Sequence, residues 1–405
     1  MRALRHGCGL IVCLSAISCG GGGNSLTAPS TPVTPPSVNN VLGVVVNAGP
    51  AALTSPSVNA LYTTVTVCVP GSATQCQSID NILVDTGSYG LRLLAPALSL
   101  SLPVAAASDG NALVECVVFA DGYSWGPVAL VDAHIAGETA SSVPVQIIGD
   151  SRFPTVASDC SSTGPQEEDT VAAFGANGVL GIGPFVQDCP ECSVSALPAA
   201  YYSCTAAGCT NITVGLASQV QNPVPLFSAD NNGTIIVLPA VTAGGAASVT
   251  GSLIFGIDTE SNNQSGTQTV LTLQTSGANV GDLTTIFNGQ TLNASFIDSG
   301  SNGNYFNDTN IAQCAGNFVP FYCPASTVDL SATLQGANGI SIAESFSVAN
   351  AQTLLQTVTV FPGLAGTNPV AGSFDWGLPF FYGNRVATAI EGYTTSVGTG
   401  PYVAF

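Results

Sequence analysis

Two four-residue phrases, Asp85-Thr86-Gly87-Ser88 and Asp298-Ser299-Gly300-Ser301, stand one in each half of this 405-residue chain. Each follows a short apolar run, Ile82-Leu83-Val84 in the first case and Phe296-Ile297 in the second. Runs of that kind end buried strands, and glycine permits the tight turn that comes next. Two aspartates presented this way and brought face to face share one proton, because carboxylates that close cannot both ionise. A carboxyl pair with one shared proton is equipped for acid–base hydrolysis of a peptide bond. A single Asp-x-Gly turn is ordinary turn chemistry. The second copy gives the pattern its chemical meaning.

The elements that must position these turns are strands. The chain is rich in Gly, Val, Ala, Ser and Thr, and only 7% of it is charged. That mixture favours strands and turns over helices, so the expected class is all-β. Strands are predicted at 41–48 and 61–69, at 79–84 running into Asp85, and at 91–94. A hairpin is predicted with arms at 117–119 and 128–135, its tip bearing Tyr123 and Trp125. A buried, glycine-bearing strand is predicted at 177–183. The second half repeats this grammar with strands at 251–258, 268–273 and 284–297, the last ending at Asp298, then at 386–390 and 402–405. The halves divide near 235–250, giving expected units of 41–240 and 241–405. Glu167-Glu168-Asp169 is expected to be a solvated acidic loop.

The formal net charge is −19, with five arginines and no lysine. Phosphate binding needs a basic surface, so nucleic acid is excluded as a partner. Acid conditions would relieve the self-repulsion of such a chain. Arg2 and Arg5 precede the apolar run 9–17, which is too short to span a bilayer and has the form of a signal peptide core. Residues 1–18 are therefore expected to be a leader. The sequence Ala16-Ile17-Ser18-Cys19, followed by four glycines, resembles a bacterial lipoprotein signal. That resemblance implies a lipid on Cys19, with 19–40 as a disordered tether to the cell envelope. Ten cysteines follow Cys19, an even number in an exported chain, and disulfides are the expectation. Cys68 with Cys76, Cys314 with Cys323, and Cys116 with Cys160 are candidate pairs. Cys189, Cys192, Cys204 and Cys209 are expected to form two further disulfides rather than a zinc site. No metal or cofactor is expected.

Taken in order, five segments resemble the pepsin-like aspartic proteases. They are 82–93 around the first Asp turn, 177–184, 251–258, 296–301 around the second turn, and 374–390, where Leu378 stands in place of a usual Asp. The chain also resembles a group of bacterial exported proteins of unassigned function. The resemblance implies a bilobed fold, two β-barrel-like lobes flanking a central cleft, with Asp85 and Asp298 as the catalytic pair. It implies that Ser88 and Ser301 hold the outer carboxylate oxygens and that Thr86 and Ser299 brace the two loops. It implies that the amides at Gly87 and Gly300 face the carboxylates. The family's covering hairpin falls at 117–135, with Phe119 at the usual Tyr position and Tyr123 and Trp125 as further substrate-binding candidates.

The leading expectation is an aspartic endopeptidase, acting as a monomer on peptide or protein substrates. A non-catalytic surface binder that reuses the cleft is the alternative, and a purely structural envelope protein is a third.

Overall fold

The computed structural model describes residues 39–355 and 358–405. The expected leader, the tether up to residue 38 and Cys19 lie outside the described residues. Within them the chain is nearly all β, with three α-helices of four residues each, Ser158–Ser161, Val171–Phe174 and Ala351–Leu354. No described helix is long and apolar enough to cross a membrane.

Six strands of the first half close on themselves. Leu61–Cys68 pairs with Cys76–Asp85, which runs parallel to Gly178–Ile182. That strand pairs with Tyr89–Leu94, then Glu138–Ile148, then Tyr123–Ile135. Tyr123–Ile135 returns to pair with Leu61–Cys68, leaving no free edge on this ring. Alternating Val, Ile and Leu from these strands fill the interior.

The second half is built on a similar plan. Leu283–Phe287 and Gln290–Ile297 form a hairpin. One strand is expected over 284–297, but Asn288-Gly289, both with positive φ, turns the chain back after Phe287. Val328–Gln335 and Ser341–Val348, not anticipated from sequence, extend the sheet. Asp375–Trp376 runs parallel to Phe296–Ile297, as Gly178–Ile182 runs parallel to the strand that carries Asp85. Beneath the second Asp turn lies an aromatic stack. Phe374 is sandwiched between Phe306 at 4.8 Å and Trp376 at 4.1 Å.

The halves are sewn together by one sheet. Val41–Val46 pairs over its whole length with Val249–Phe255, which continues to Gly233–Val237, Arg385–Ala389, Tyr402–Ala404 and Val270–Thr272. One apolar cluster therefore reaches from Val44 to Val403. The ten described cysteines pair as Cys68–Cys76, Cys116–Cys160, Cys189–Cys192, Cys204–Cys209 and Cys314–Cys323. Five disulfides are the signature of an exported chain folded in an oxidising compartment.

A second clasp between the halves is a single amide. Asn59 is fully buried with φ at 48°. Its Nδ2 donates to the carbonyls of Asn302 and Phe361, each at 2.8 Å. Its Oδ1 accepts from the Phe361 amide at 2.7 Å and from the Tyr382 hydroxyl at 2.9 Å. Asparagine tolerates the left-handed backbone region, so one residue meets both demands. Asn59→Ala strands two donors and two acceptors in the interior. The expected cost is about 2–4 kcal/mol, read from the urea unfolding midpoint. A loss within experimental error would show that these bonds contribute nothing.

Candidate active site

Asp85 is the last residue of the strand Cys76–Asp85, and Asp298 directly follows Gln290–Ile297. The apolar residues before each carry the strand into the core, so both carboxyl groups end with 0% exposure. The turns then supply donors in matching positions. The Gly87 amide donates to Asp85 Oδ1 and the Gly300 amide to Asp298 Oδ1, both at 2.7 Å. Ser88 Oγ donates to Asp85 Oδ2, and Ser301 Oγ to Asp298 Oδ2 at 3.0 Å.

The turns also hold each other. The Thr86 amide donates to Ser299 Oγ at 3.1 Å, and the Ser299 amide to Thr86 Oγ1 at 2.9 Å. Each hydroxyl passes its own proton across the boundary, Thr86 to the Ile297 carbonyl and Ser299 to the Val84 carbonyl. These groups lie where the strand ladders stop, and buried amides and carbonyls must be paired. The hydroxyls do that pairing. The approach is close enough to require glycine at both turns. A β-carbon on Gly87 would lie 2.7 Å from Asp298 Cγ, and one on Gly300 2.6 Å from Asp85 Oδ1.

The two aspartates are hydrogen-bonded to each other through their side chains. Burial, then the Asp85 charge, then the Asp375 charge hold the Asp298 carboxyl well above the usual range. A carboxyl–carboxyl hydrogen bond needs a proton on one partner, and the proton belongs to the pair. The arrangement therefore combines, in one place, a carboxyl able to accept a proton and a carboxylic acid able to donate one.

A third acid, which no sequence motif marks, stands beside them. Asp375 is 6% exposed, and its Oδ2 lies 2.5 Å from Ser301 Oγ. No local pattern marks it, since its neighbourhood arises from the parallel pairing of Asp375–Trp376 with Phe296–Ile297.

The hairpin expected over the cleft has arms Ala112–Val118 and Tyr123–Ile135, with 119–122 at its tip. Phe119 packs edge-on against Phe174 in a cluster with Tyr62 and Ile148. Trp125 meets Tyr202 at 4.9 Å, donates Nε1 to the Phe153 carbonyl, and shares a cluster with Tyr123 and the Cys116–Cys160 bridge. All three rings are buried. At the tip it is Asp121 whose charge is felt in the second half, by the buried Tyr305, and Tyr305 in turn donates to Asn302 at 2.5 Å.

Glu168 was expected in a solvated loop, and the structure corrects this. Backbone bonds between Tyr123 and residues 166 and 168 draw the segment alongside the hairpin, leaving Glu168 3% exposed and hydrogen-bonded to Asp121. Another unanticipated group ties the hairpin to the first turn. Arg92, in the strand Tyr89–Leu94 that follows the turn, donates to Glu115 at 2.7 Å and Asp188 at 3.2 Å, and Tyr201 donates to Asp188 at 2.9 Å. All four residues are buried. Burial and then Glu115 push the Asp188 carboxyl well up, as one cation cannot hold two ionised acids. A lone Arg in an otherwise apolar strand was the available signal.

Over residues 36–405 the chain matches the family described as Protein of unknown function (DUF3443), and it belongs to that family. Among curated proteins none matches. Among solved structures the chain is similar to the aspartic proteinase from Irpex lacteus, with a TM-score of 0.51, 12% identity, and coverage of 90% of this chain and 96% of that one. At that identity the likeness is one of fold, and the fold is the bilobed pepsin-like one.

Burial, and secondly Asp121, push the Glu168 carboxyl up to about 9. A group whose folded pKa is raised binds its proton more tightly in the native state. Its contribution is therefore complete at low pH and is lost as pH climbs from the ordinary carboxyl range toward 9. Glu168→Gln should match the parent protein near pH 4 and exceed it at pH 7 by on the order of 1–3 kcal/mol, as measured by urea unfolding at the two pH values. Equal stability at both would refute the assignment.

Proposed function

We propose that this DUF3443 chain is an aspartic endopeptidase that hydrolyses peptide bonds through a water activated by Asp85 and Asp298. The observation that carries the reading is the matched pair itself. Two carboxyls from the two halves are hydrogen-bonded to each other, each held by a glycine amide and a serine hydroxyl. In this reading one carboxylate takes a proton from the water as it attacks the scissile carbonyl. The other, protonated, gives its proton to the carbonyl oxygen; the proton taken from the water then passes to the leaving amine, and collapse of the diol returns one proton to the pair. Burial and the neighbouring acids favour Asp298 as the proton-bearing partner. The amides at Gly87 and Gly300 and the hydroxyls of Ser88 and Ser301 keep the carboxyls oriented, and Thr86 with Ser299 fixes their separation.

The substrate class is an extended peptide lying between lobes 41–240 and 241–405, beneath the hairpin tip at 119–122. Phe119, Tyr123 and Trp125 serve as the anchors that hold the hairpin to the first lobe. We place the enzyme in the bacterial cell envelope, as a monomer tethered by a lipid on Cys19.

One observation favours a second reading, a binding protein that reuses the cleft. Both carboxyls are wholly enclosed, so a peptide reaches them only if the surrounding structure opens. The two readings separate on a denatured-protein substrate assayed from acid to neutral pH. The enzyme cleaves it, and Asp85→Asn or Asp298→Asn each lowers the rate by about 10²–10⁴-fold. A statine-type inhibitor binds the parent protein and not the Asp85→Asn variant. Absence of any cleavage, with ligand binding indifferent to both substitutions, would leave the binder.

A further inference from the structure

Ser301 Oγ lies between two carboxyl oxygens, 3.0 Å from Asp298 Oδ2 and 2.5 Å from Asp375 Oδ2. A hydroxyl carries one proton, so it donates to one carboxyl only. The second contact is a hydrogen bond only where the other carboxyl is itself an acid and donates to Oγ. Proton counting thus puts a second proton among these three groups, beyond the hydroxyl's own. The corresponding hydroxyl of the first half, Ser88, reaches a single carboxyl, Asp85. The two turns, otherwise matched donor for donor, differ here.

The surroundings of Asp375 favour the neutral form. Its Oδ1 is buried and accepts no hydrogen bond. A carboxylate with an oxygen in that condition would carry charge with nothing to stabilise it. The groups that face it are Ser301 and Asp298 from the turn, Asp85 across the pair, and Tyr305 from the adjoining strand, which feels its charge. All are neutral or acidic. Burial, offset in part by the Ser301 bond and reinforced by Asp85, holds the carboxyl well above its ordinary range.

We propose that Asp375 is a third carboxyl of the centre, a positioning residue that stores a proton and exchanges it with Asp298 through the Ser301 hydroxyl. The step conserves every atom. A proton passes from Asp375 Oδ2 to Ser301 Oγ while the proton already on Oγ passes to Asp298 Oδ2. One carboxylic acid and one carboxylate exchange places, and the serine ends as it began. The proposal rests on reading Asp85 and Asp298 as the catalytic pair. It adds that this pair keeps its shared proton to a higher pH than two carboxyls alone would. When Asp375 ionises first, its charge raises the proton affinity of the pair.

The test has one arm that needs no activity. The full chain, labelled with carbon-13 at the aspartate carboxyls, is titrated by NMR. Asp375 should remain protonated near pH 6, where an exposed aspartate is about 99% ionised. Its midpoint should move in Asp298→Asn and in Ser301→Ala. An Asp375 that titrates like a surface residue in the parent protein overturns the proposal, and this measurement requires no variant to fold. A midpoint unmoved by both substitutions also overturns it. The second arm is the pH profile of kcat/KM. Asp375→Asn should shift the upper limb to lower pH by about half a unit, a roughly threefold loss at a pH on that limb. Superimposable profiles overturn the relay. If no cleavage is found in any form, the endopeptidase reading fails, and the NMR arm still decides whether the three groups share their protons.

Discussion

The centre of this molecule depends on a reciprocal pair of hydrogen bonds, from the Thr86 amide to Ser299 and from the Ser299 amide to Thr86. Each amide sits past the end of its own strand and has no ladder partner there. The opposite turn supplies the acceptor, and the same hydroxyl then donates back to the carbonyl before the opposing aspartate. Neither Asp turn is complete without the other. The closeness of the carboxyls, the need for glycine at 87 and 300, and the shared proton all follow from that mutual requirement.

Around this knot the structure adds constraints of different physical kinds. The sheet through Val41–Val46 and Val249–Phe255 joins the halves by backbone pairing. Asn59 joins them by a saturated amide. The Arg92 cluster ties the first turn to the hairpin strand by charge, in a chain that has only five cationic residues and no lysine. That a scarce cation is committed to the interior, next to the hairpin arm and not on the surface, marks the hairpin's attachment as a defined part of the fold. The hairpin tip, by contrast, acts on the second half at a distance, through the Asp121 charge that Tyr305 feels.

What the sequence made legible is what is local. Asp85 and Asp298 stand in short phrases whose apolar lead-in, glycine and serine all act within a few residues of each aspartate. The hairpin pairs among the cysteines are local too, as is the glycine-bearing strand at 178–182. The groups that escaped notice are those whose partners are distant in the chain. Asp375 lies on a strand of two residues and acquires meaning only from its pairing with Phe296–Ile297. Glu168 sits in an acidic run that reads as solvated, yet its backbone is drawn in by Tyr123. The orientation of Phe119 and Trp125 was equally out of reach, because Phe174 and Tyr202 fix it. Asn288-Gly289 is the exception, a local turn signal set inside a run whose other residues favour one continuous strand.

The strand Val41–Val46 has a further consequence for how the protein comes into being. It matches only two residues of Leu61–Cys68 but six of Val249–Phe255, some two hundred positions later. During translation and export the first half therefore emerges with this segment still lacking its main partner, and with Thr86 facing no Ser299. An incomplete nascent chain holds one carboxyl of the pair and an unpaired strand edge, a state that invites misassociation. Assembly of the two-aspartate centre is thus deferred until the second turn at 298–301 and its supporting strands have been made.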